Sequence, residues 1–211
     1  MPRMQTRALG RPKSDPARDL RRDLLLASRQ MLDEGGPTAL SMREVARRTD
    51  CTHQAPYHYF ENREAILAAL VAEGFDALAV RLEEANDLLE PAGVRAALLA
   101  SGAAYLGFAL GQPGVFRIMF RPDVCDPAHF PAVQASGNRA RAALDRLCAI
   151  VHGTQASAAW ATILWAHVHG LACLLLDGPL ALQFQTASQR EEYLRAVGAQ
   201  FADMVLAQAT Q

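Results

Sequence analysis

The sequence predicts an all-α protein. Apolar residues recur every three or four positions through most of the 211 residues, which is the spacing of one face of a helix. No run of alternating apolar and polar residues is long enough to predict a strand. Gly35-Gly36-Pro37 and Pro91-Ala92-Gly93 interrupt the helical pattern, as Gly and Pro do at helix ends. The hydrophobic content of 51% is sufficient for a sizeable core.

Residues 1–18 are predicted to form a basic arm, because they carry several Arg and Lys side chains without apolar periodicity. Within the arm, Gly10-Arg11-Pro12-Lys13 resembles the core of an AT-hook, whose Arg enters a narrow A·T minor groove. Arg11 is therefore a candidate minor-groove contact. The alternative is a solvated tail that attracts phosphates without sequence preference.

Two short segments after the arm have clear start signals. The first helix is predicted at 19–34, ended by Gly35-Gly36-Pro37. Ser41 and Glu44 have capping-box spacing and predict a second helix, Met42–Arg48, in which each side chain satisfies the other's free backbone amide. Asp50 is expected in the turn that follows, because Asp tolerates left-handed backbone.

A third helix is predicted at 53–60, with the hydroxyl of Thr52 as its cap. Eight residues are too few for an isolated helix, so Phe60 and one edge of Tyr57 are expected to hold it by packing. Its remaining side chains suit base edges, thymine methyls and phosphates. Two short helices joined by a brief turn have the geometry that fits the major groove of DNA.

The segments 40–46 and 57–67 resemble the DNA-binding domain of the TetR family of transcriptional repressors, over about residues 19–75. Asp50 stands where the family usually has Gly, Tyr59 where His is common, and Pro56 lies inside the predicted recognition helix. The resemblance implies base contacts from Arg43, His53, Gln54 and Ala55. It implies phosphate or mixed contacts from Thr52, Tyr57, His58, Tyr59 and Arg63.

The rest of the chain is predicted to be helical, at 63–89, 94–110, 113–120, 130–151, 156–176 and 188–209. Trp165 to Gly170 resembles a Trp-x-x-x-His-Gly stretch of one group of TetR-family C-terminal domains. This predicts a regulatory and dimerisation domain at 76–211, with the boundary on the helix at 63–89. Residues 1–60 hold 11 of the 21 basic and 7 of the 22 acidic side chains, so only this front part is expected to contact a polyanion.

Aromatic and Met side chains of the C-terminal part are candidates for lining a ligand cavity, with ordinary core packing as the alternative. The candidates are Tyr105, Phe108, Phe116, Met119, Phe120, Trp165 and His169. His169 and Cys173 lie four residues apart on one helical face, a spacing that metal ligation uses. We favour a buried His beside a core Cys, because no further ligand is near in sequence, and we predict no metal and no cofactor.

The apolar segment 155–176 is long enough to cross a bilayer. It contains His167, His169 and Gly170 and lacks flanking anchors, so we expect it to pack between two copies of the chain instead. The four cysteines form no Cys-x-x-Cys pair, and we expect reduced, buried thiols in a cytoplasmic protein, with a redox switch as the alternative.

Together with these patterns, the resemblance to the TetR family implies a homodimeric repressor that binds double-stranded DNA and is released by an unidentified small-molecule effector. No phosphate loop, nucleophile elbow or zinc-protease motif appears, so no catalytic residue is predicted. The alternatives are a helical enzyme or small-molecule carrier without DNA binding, and a helix-turn-helix activator.

Overall fold

The computed structural model describes residues 19–209, so the predicted arm and Arg11 lie outside the described residues. Regular secondary structure in this range is entirely helical, which confirms the predicted fold class. The α-helices are α1 Leu20–Ala39, α2 Met42–Arg48, α3 Arg63–Asn86, α4 Leu89–Ala92, α5 Val94–Gly111, α6 Pro113–Met119, α7 Pro131–His152, α8 Ala158–Leu176 and α9 Ala187–Ala209. Short 3₁₀ turns lie at Ala55–His58, Pro127–His129, Gly153–Gln155 and Pro179–Leu182.

Helix α1 begins at a side-chain cap and is interrupted near its end. Asp19 accepts a hydrogen bond from the backbone amide of Arg22 at 3.1 Å. Gly36 has a φ of 67°, which breaks the helix just beyond the predicted end at Glu34. Helical backbone then resumes as a single turn through Ala39. Glycine is suited to this break because it adopts positive φ without steric cost.

Helices α1, α2 and the first half of α3 share one apolar core. The apolar residues of this core are almost completely buried, and they include Leu24, Met31, Leu32, Leu40, Val45, Phe60, Ile66, Leu67 and Leu70. Each such side chain contributes about 1.5–3 kcal/mol when it leaves water. This core holds α2 and the following turn against α1 and α3.

Helix α3 belongs to both halves of the molecule. Asn62 caps its start by accepting from the amide of Ala65 at 2.8 Å. Its second half packs against α5 and α7. The helix ends at Asn86, short of the predicted end at residue 89, and Pro91 lies inside the separate helix α4 instead of in a break. Gly93, with a φ of 84°, ends α4.

In the C-terminal part, α5 and α7 pack against α3, and α8 and α9 pack on α5 and α7. Helix α6 connects this bundle to the front of the molecule, because the backbone amide of Gly114 donates to a carboxylate oxygen of Asp33 at 2.7 Å. A Cβ at Gly114 would lie 2.6 Å from the backbone nitrogen of Asp33, so only glycine permits this approach of α6 to α1.

The prediction of four buried cysteines is wrong in part. Cys125 and Cys148 are buried, Cys51 is half-buried and Cys173 is exposed. Cys173 is exposed because it lies on the outer face of α8, which no other described element covers.

Candidate functional site

The start of α2 confirms one half of the predicted capping box. Ser41 Oγ accepts a hydrogen bond from the backbone amide of Glu44 at 3.2 Å. The carboxylate of Glu44 does not return to the Ser41 amide, and that part of the prediction is wrong. It accepts instead from Arg47 at 2.6 and 2.8 Å and from Arg48 at 3.1 Å. The hydrogen bond from Arg47 is the main reason that the pKa of Glu44 is lowered to about 2.

The turn after α2 adopts the predicted left-handed backbone. Asp50 has a φ of 50°, which confirms the prediction for this position. The amide of Cys51 donates to the carbonyl of Ala46 at 3.1 Å and so closes the end of α2. Thr49 is buried, and its hydroxyl donates to the carbonyl of Val45 at 2.9 Å.

The predicted helix at 53–60 is a single 3₁₀ turn, Ala55–His58, inside the segment 52–59, which we call the recognition turn. Thr52 does not cap it through its hydroxyl. The Thr52 backbone carbonyl accepts from the amide of Ala55 at 2.9 Å. Pro56 has no amide to donate and disfavours α-helical backbone at the preceding residue, which explains why a longer helix does not form.

Pro56 and Phe60 anchor the recognition turn in the core. Both side chains are buried, and Phe60 is only 5% exposed. Tyr57, which was predicted to pack on one edge, is 56% exposed, so Pro56 takes the anchoring position instead. The exposed side chains of the turn belong to Thr52, His53, Gln54, Tyr57, His58 and Tyr59, and Ala55 is half-buried.

Arg43 of α2 and His53 of the recognition turn line the same surface depression. Arg43 is exposed and forms no ion pair with any described residue. Its neighbours differ, because Arg47 binds Glu44 and Arg48 binds Glu34 at 2.7 Å. Arg43 is therefore the arginine of α2 with its charge available to a ligand.

Arg63 uses its guanidinium inside the molecule. Its Nε donates to the carbonyl of Leu40 at 2.9 Å, and a terminal nitrogen donates to the carbonyl of Pro37. These bonds hold the start of α3 to the connection between α1 and α2. The predicted phosphate contact would require these donors, which already bind backbone carbonyls. The primary role of Arg63 is therefore structural.

A cavity of about 930 Å³ lies among α3, α5, α7, α8 and α9. Of the seven predicted cavity residues, Tyr105, Phe120 and Trp165 line it. Most of the remaining lining is aliphatic or has very small side chains. The volume is within the range of pockets that hold small molecules.

The other four predicted cavity residues lie behind the wall of the cavity. Phe108, Phe116 and Met119 are 0%, 3% and 6% exposed and belong to the core. Met119 packs on α3, where a Cβ at Gly74 would lie 2.9 Å from its sulfur. His169 contacts Phe120 with ring centroids 4.8 Å apart. The positions of these residues on α5, α6 and α8 direct them toward neighbouring helices instead of the open space.

A short chain of hydrogen bonds lies beside the cavity. Trp165 Nε1 donates to the hydroxyl of Tyr105 at 3.2 Å, and that hydroxyl lies 2.8 Å from His169 Nδ1. A neutral His169 can accept a hydrogen bond from the tyrosine hydroxyl at Nδ1. Burial favours the same state, because it lowers the pKa of His169 and raises that of Tyr105. Within the described range, no three His, Cys, Asp or Glu side chains are grouped to hold a metal ion.

Sequence reasoning missed the residues of α7 and α9 that face the cavity. They include Arg141, Arg190, Glu191 and Arg195, together with the small residues Gly137 and Gly198. Helix α5 contributes Gly102 and Gly107. Glycines on one face of otherwise apolar helices were the sequence signal for this cavity. A glycine leaves space that a large side chain would fill.

Two family models match the chain. The model described as "Bacterial regulatory proteins, tetR family" matches residues 24–70, from α1 into α3. The model described as "Tetracyclin repressor-like, C-terminal domain" matches residues 98–199, which include most of the cavity lining. The first match covers the helices that support the recognition turn, and the second covers α5 to α9 around the cavity.

Among curated proteins, the HTH-type transcriptional regulator Rv1816 of Mycobacterium tuberculosis (strain ATCC 25618 / H37Rv) is 27% identical over 95 residues. The matched segment is 45% of this chain and 40% of that regulator's length. The solved structure of a protein of unknown function from Rhodococcus sp. RHA1 is 26% identical, with a TM-score of 0.74 and coverage of 96% of this chain and 100% of that chain.

Two more distant structures show the fold alone. A tetR-family regulatory protein from Rhodococcus RHA1 is 15% identical, with a TM-score of 0.69 and coverage of 91% and 97% of the two chains. FadR from Bacillus subtilis, solved in complex with stearoyl-CoA, is 13% identical, with a TM-score of 0.62 and coverage of 88% and 97%. With both parts of the fold matched by models of one family, and in the family's order, the chain belongs to the TetR family of transcriptional regulators.

Proposed function

We propose that the protein is a homodimeric repressor that binds a palindromic operator and is released by a small-molecule effector. The observation that carries this proposal is the recognition turn at 52–59. Its polar and aromatic side chains are exposed, while buried Pro56 and Phe60 fix its backbone. A rigid support with exposed hydrogen-bonding groups is what contact with base edges requires.

The proposed DNA contacts divide into two groups. Base contacts are assigned to Arg43, His53, Gln54 and Ala55. Phosphate or mixed contacts are assigned to Thr52, Tyr57, His58 and Tyr59. The internal bonds of Arg63 support a role in positioning this surface, and the phosphate role of this residue is a secondary part of the proposal. The minor-groove contact of Arg11 is also retained as a proposal.

The dimer is proposed to form through α8 and α9. The exposed face of α8 is uncharged and includes Ala159, Thr162, Ile163, Ala166, Gly170, Cys173 and Leu174. Its small residues allow a second helix to approach closely, and Met204 of α9 adds an apolar side chain that is 63% exposed. A second copy of the chain fits this face, because a two-fold axis places identical apolar surfaces against each other.

By length and composition, two helices, Val94–Gly111 and Ala158–Leu176, would be able to cross a membrane. Helix α5 lines the cavity, and packing of α8 between two copies explains its apolar outer face. We therefore propose a cytoplasmic protein without a membrane partner. The family consists of regulators, which are generally not enzymes, and we propose no catalytic activity.

Release from DNA is proposed to follow from a ligand in the cavity. Such a ligand would favour one arrangement of the C-terminal helices and shift the population toward it. Helix α3 and the contact between Asp33 and Gly114 connect these helices to the DNA-binding part. A tilt of α3 would move the two recognition turns of a dimer away from the separation of about 34–36 Å that successive major grooves require.

A gel shift at fixed salt, with DNA fragments from the neighbouring genome, tests the function. The double variant His53→Ala/Gln54→Ala is expected to lose specific binding, at about 1–3 kcal/mol for each lost base contact. The matched control is His129→Ala/Gln134→Ala, which removes an exposed His and Gln far from the recognition turn. Specific binding that is equal in both variants would contradict the proposal.

The exposed recognition turn also bears on the alternative of a helical enzyme or carrier. That alternative expects the basic front to be buried against the back half. The exposed positions of His53, Gln54 and Tyr57 therefore favour the DNA-binding proposal.

A further inference from the structure

The cavity has walls that suit an apolar molecule. Helices α3, α5 and α8 contribute aliphatic and aromatic side chains to the lining, including Leu78, Leu106, Trp165 and Leu171, and Phe120 adds a ring from the residue after α6. The space itself exists because small residues face it. At Gly102, for example, an added Cβ would have no neighbour within 4 Å. A ligand that fills this space is stabilised mainly by removal of its apolar surface from water.

Formal charge is present on only one side of the cavity. All four charged lining residues belong to α7 and α9, and they are Arg141, Arg190, Glu191 and Arg195. The opposite helices contribute none, and burial lowers the pKa of His167 of α8, so this imidazole is neutral near pH 7. Three arginines and one glutamate give this side a net positive charge.

The arginines differ in how far they are neutralised. Arg141 donates to Asp145 at 2.9 Å, so its charge is partly compensated. The side chains of Arg190 and Arg195 form no ion pair with any residue in the described part of the chain. Arg190 is half-buried, where the attraction of an anion is screened less than at the surface.

The inner polar groups do not offer a second charged position. The hydroxyl of Tyr105 is already bonded to Trp165 and His169, and this chain is neutral. A charged group of a ligand placed there would be desolvated without a counter-charge, which is strongly unfavourable. The charge of a ligand is therefore expected only on the side of α7 and α9.

We propose that the effector is an amphiphile with an apolar body and one anionic head, either a carboxylate or a phosphate. The body fills the cavity beside Gly102 and Trp165, and Arg190 and Arg195 bind the head. Guanidinium groups suit this role because their planar donors match both carboxylate and phosphate oxygens. This inference rests on the proposed function, in which a ligand of the cavity controls DNA binding.

Direct binding to the purified full-length protein tests the chemistry of the head. The probes are hexadecanoate, hexadecan-1-ol and hexadecyltrimethylammonium below their aggregation concentrations, with intrinsic tryptophan fluorescence and calorimetry as readouts. Hexadecanoate is expected to bind at least about tenfold more tightly than the alcohol, a difference of about 1.4 kcal/mol, and the cation more weakly still. Equal binding of acid and alcohol, tighter binding of the cation, or no binding of any probe would overturn the inference.

Two variants locate the head and the body separately. Arg190→Gln/Arg195→Gln is expected to weaken binding of hexadecanoate at least about tenfold while the alcohol is unaffected. The control is Arg146→Gln, an arginine of α7 that pairs with Asp87 at 2.9 Å and does not line the cavity. At Gly102 an added Cβ meets no atom within 4 Å, so Gly102→Leu extends into the open space and is expected to weaken binding of both probes. An unchanged affinity for hexadecanoate in the double variant would refute the assignment of the head.

Hexadecanoyl-CoA and hexadecyl phosphate distinguish the two sources of negative charge. Tighter binding of either one than of hexadecanoate assigns the head to a phosphate, and the reverse order assigns it to a carboxylate. Operator binding is measured without any ligand in a separate gel shift. If DNA binds and no anionic amphiphile does, only this inference fails. If amphiphiles bind and DNA does not, the proposed function fails.

Discussion

Arg63 illustrates how a side chain that is predicted to contact DNA can have a structural role within the protein itself. Its guanidinium holds the carbonyls of Pro37 and Leu40 and is only partly exposed. The positive charge alone does not provide this geometry, because the planar fork of donors makes both bonds at once. A change at this position is therefore expected to act on folding before it acts on DNA.

Arg63→Lys separates the two roles, because lysine keeps the charge and loses the fork. We expect the free energy of unfolding to fall by about 1–3 kcal/mol, since one of the two carbonyls loses its hydrogen-bond donor. Urea unfolding at fixed protein concentration measures this change. Full stability combined with a uniform loss of affinity for all DNA sequences would instead assign Arg63 to phosphate contact.

His152 provides a second prediction for a single residue, because neither ring nitrogen has a hydrogen-bond partner in the described part of the chain. The imidazole is buried and stacks on Trp160 with centroids 4.1 Å apart. Burial lowers its pKa below the ordinary value of about 6.5. As pH falls below this value, the unfolded state binds the proton first, so protonation favours unfolding.

We therefore expect the stability of the wild type to fall between pH 7.5 and pH 5.5 more steeply than that of His152→Leu. His167 and His169 contribute to the pH dependence of both proteins, since their pKa values are lowered as well. The difference between the two urea unfolding curves isolates His152. Parallel loss of stability in both proteins would show that His152 titrates normally.

Residues with local signals were predictable from the sequence. Ser41 caps α2, and Asp50 adopts positive φ, because both effects depend on neighbours within a few residues. The ion pair between Arg48 and Glu34 joins two helices, so no spacing within one helix indicated it. Only these pairings distinguish Arg43, which has no ion-pair partner among the described residues, from Arg47 and Arg48.

At the scale of helices, the contact between α1 and α6 depends on one glycine. An added Cβ at Gly114 would lie 2.6 Å from atoms of Asp33 and Leu32. Gly114→Ala is expected to push the two helices apart and to lower stability by about 1–3 kcal/mol, the usual cost of overpacking. Thermal unfolding measures the loss, and a gel shift measures its effect on operator affinity.

The control for this change is Gly111→Ala in α5, where an added Cβ meets no atom within 4 Å. A helical glycine in open space is expected to gain up to about 1 kcal/mol from this substitution. Equal stability of the two variants would mean that α6 moves freely relative to α1.

Helix periodicity predicted most elements within one or two residues, and the two main errors have physical causes. The recognition turn is shorter than the predicted helix because Pro56 removes a donor and restricts Ala55. Helix α3 ends at Asn86 because the backbone hydrogen-bond pattern changes there. The amide of Leu88 donates to the carbonyl of Ala85 at 3.3 Å, and Pro91 has no amide to donate to the carbonyl of Asp87.

At the scale of the whole molecule, dimerisation is expected to depend on the uncharged face of α8. Ile163→Asp/Leu174→Asp places two charges on that face, and burying unpaired charges is costly. We expect a monomer with greatly reduced operator affinity, because a monomer contacts only one half-site. Light scattering after size exclusion and a gel shift at the same concentration provide the measurements.

Leu88→Asp is the matched control, because Leu88 is 40% exposed between α3 and α4, away from α8. This variant is expected to remain dimeric. Dimers of unchanged stability in Ile163→Asp/Leu174→Asp would place the interface elsewhere.

The cavity shows the limit of sequence reasoning at this scale. The sequence predicts aromatic and Met side chains as its lining, yet Phe108, Phe116 and Met119 lie in the core. Which face of each helix borders the open space depends on how five helices pack together. That arrangement, and with it the contribution of Arg190 and Arg195, requires tertiary structure.

The sharing of α3 between the two halves has a consequence for engineering. An uninterrupted helix of 24 residues transmits rotation, so one residue inserted near its middle would turn the front by about 100° relative to the body. Four inserted residues would bring the front back to within about 40° of its original orientation and shift it by about 6 Å. Hybrids that exchange operator specificity with relatives therefore need a junction that preserves helical phase.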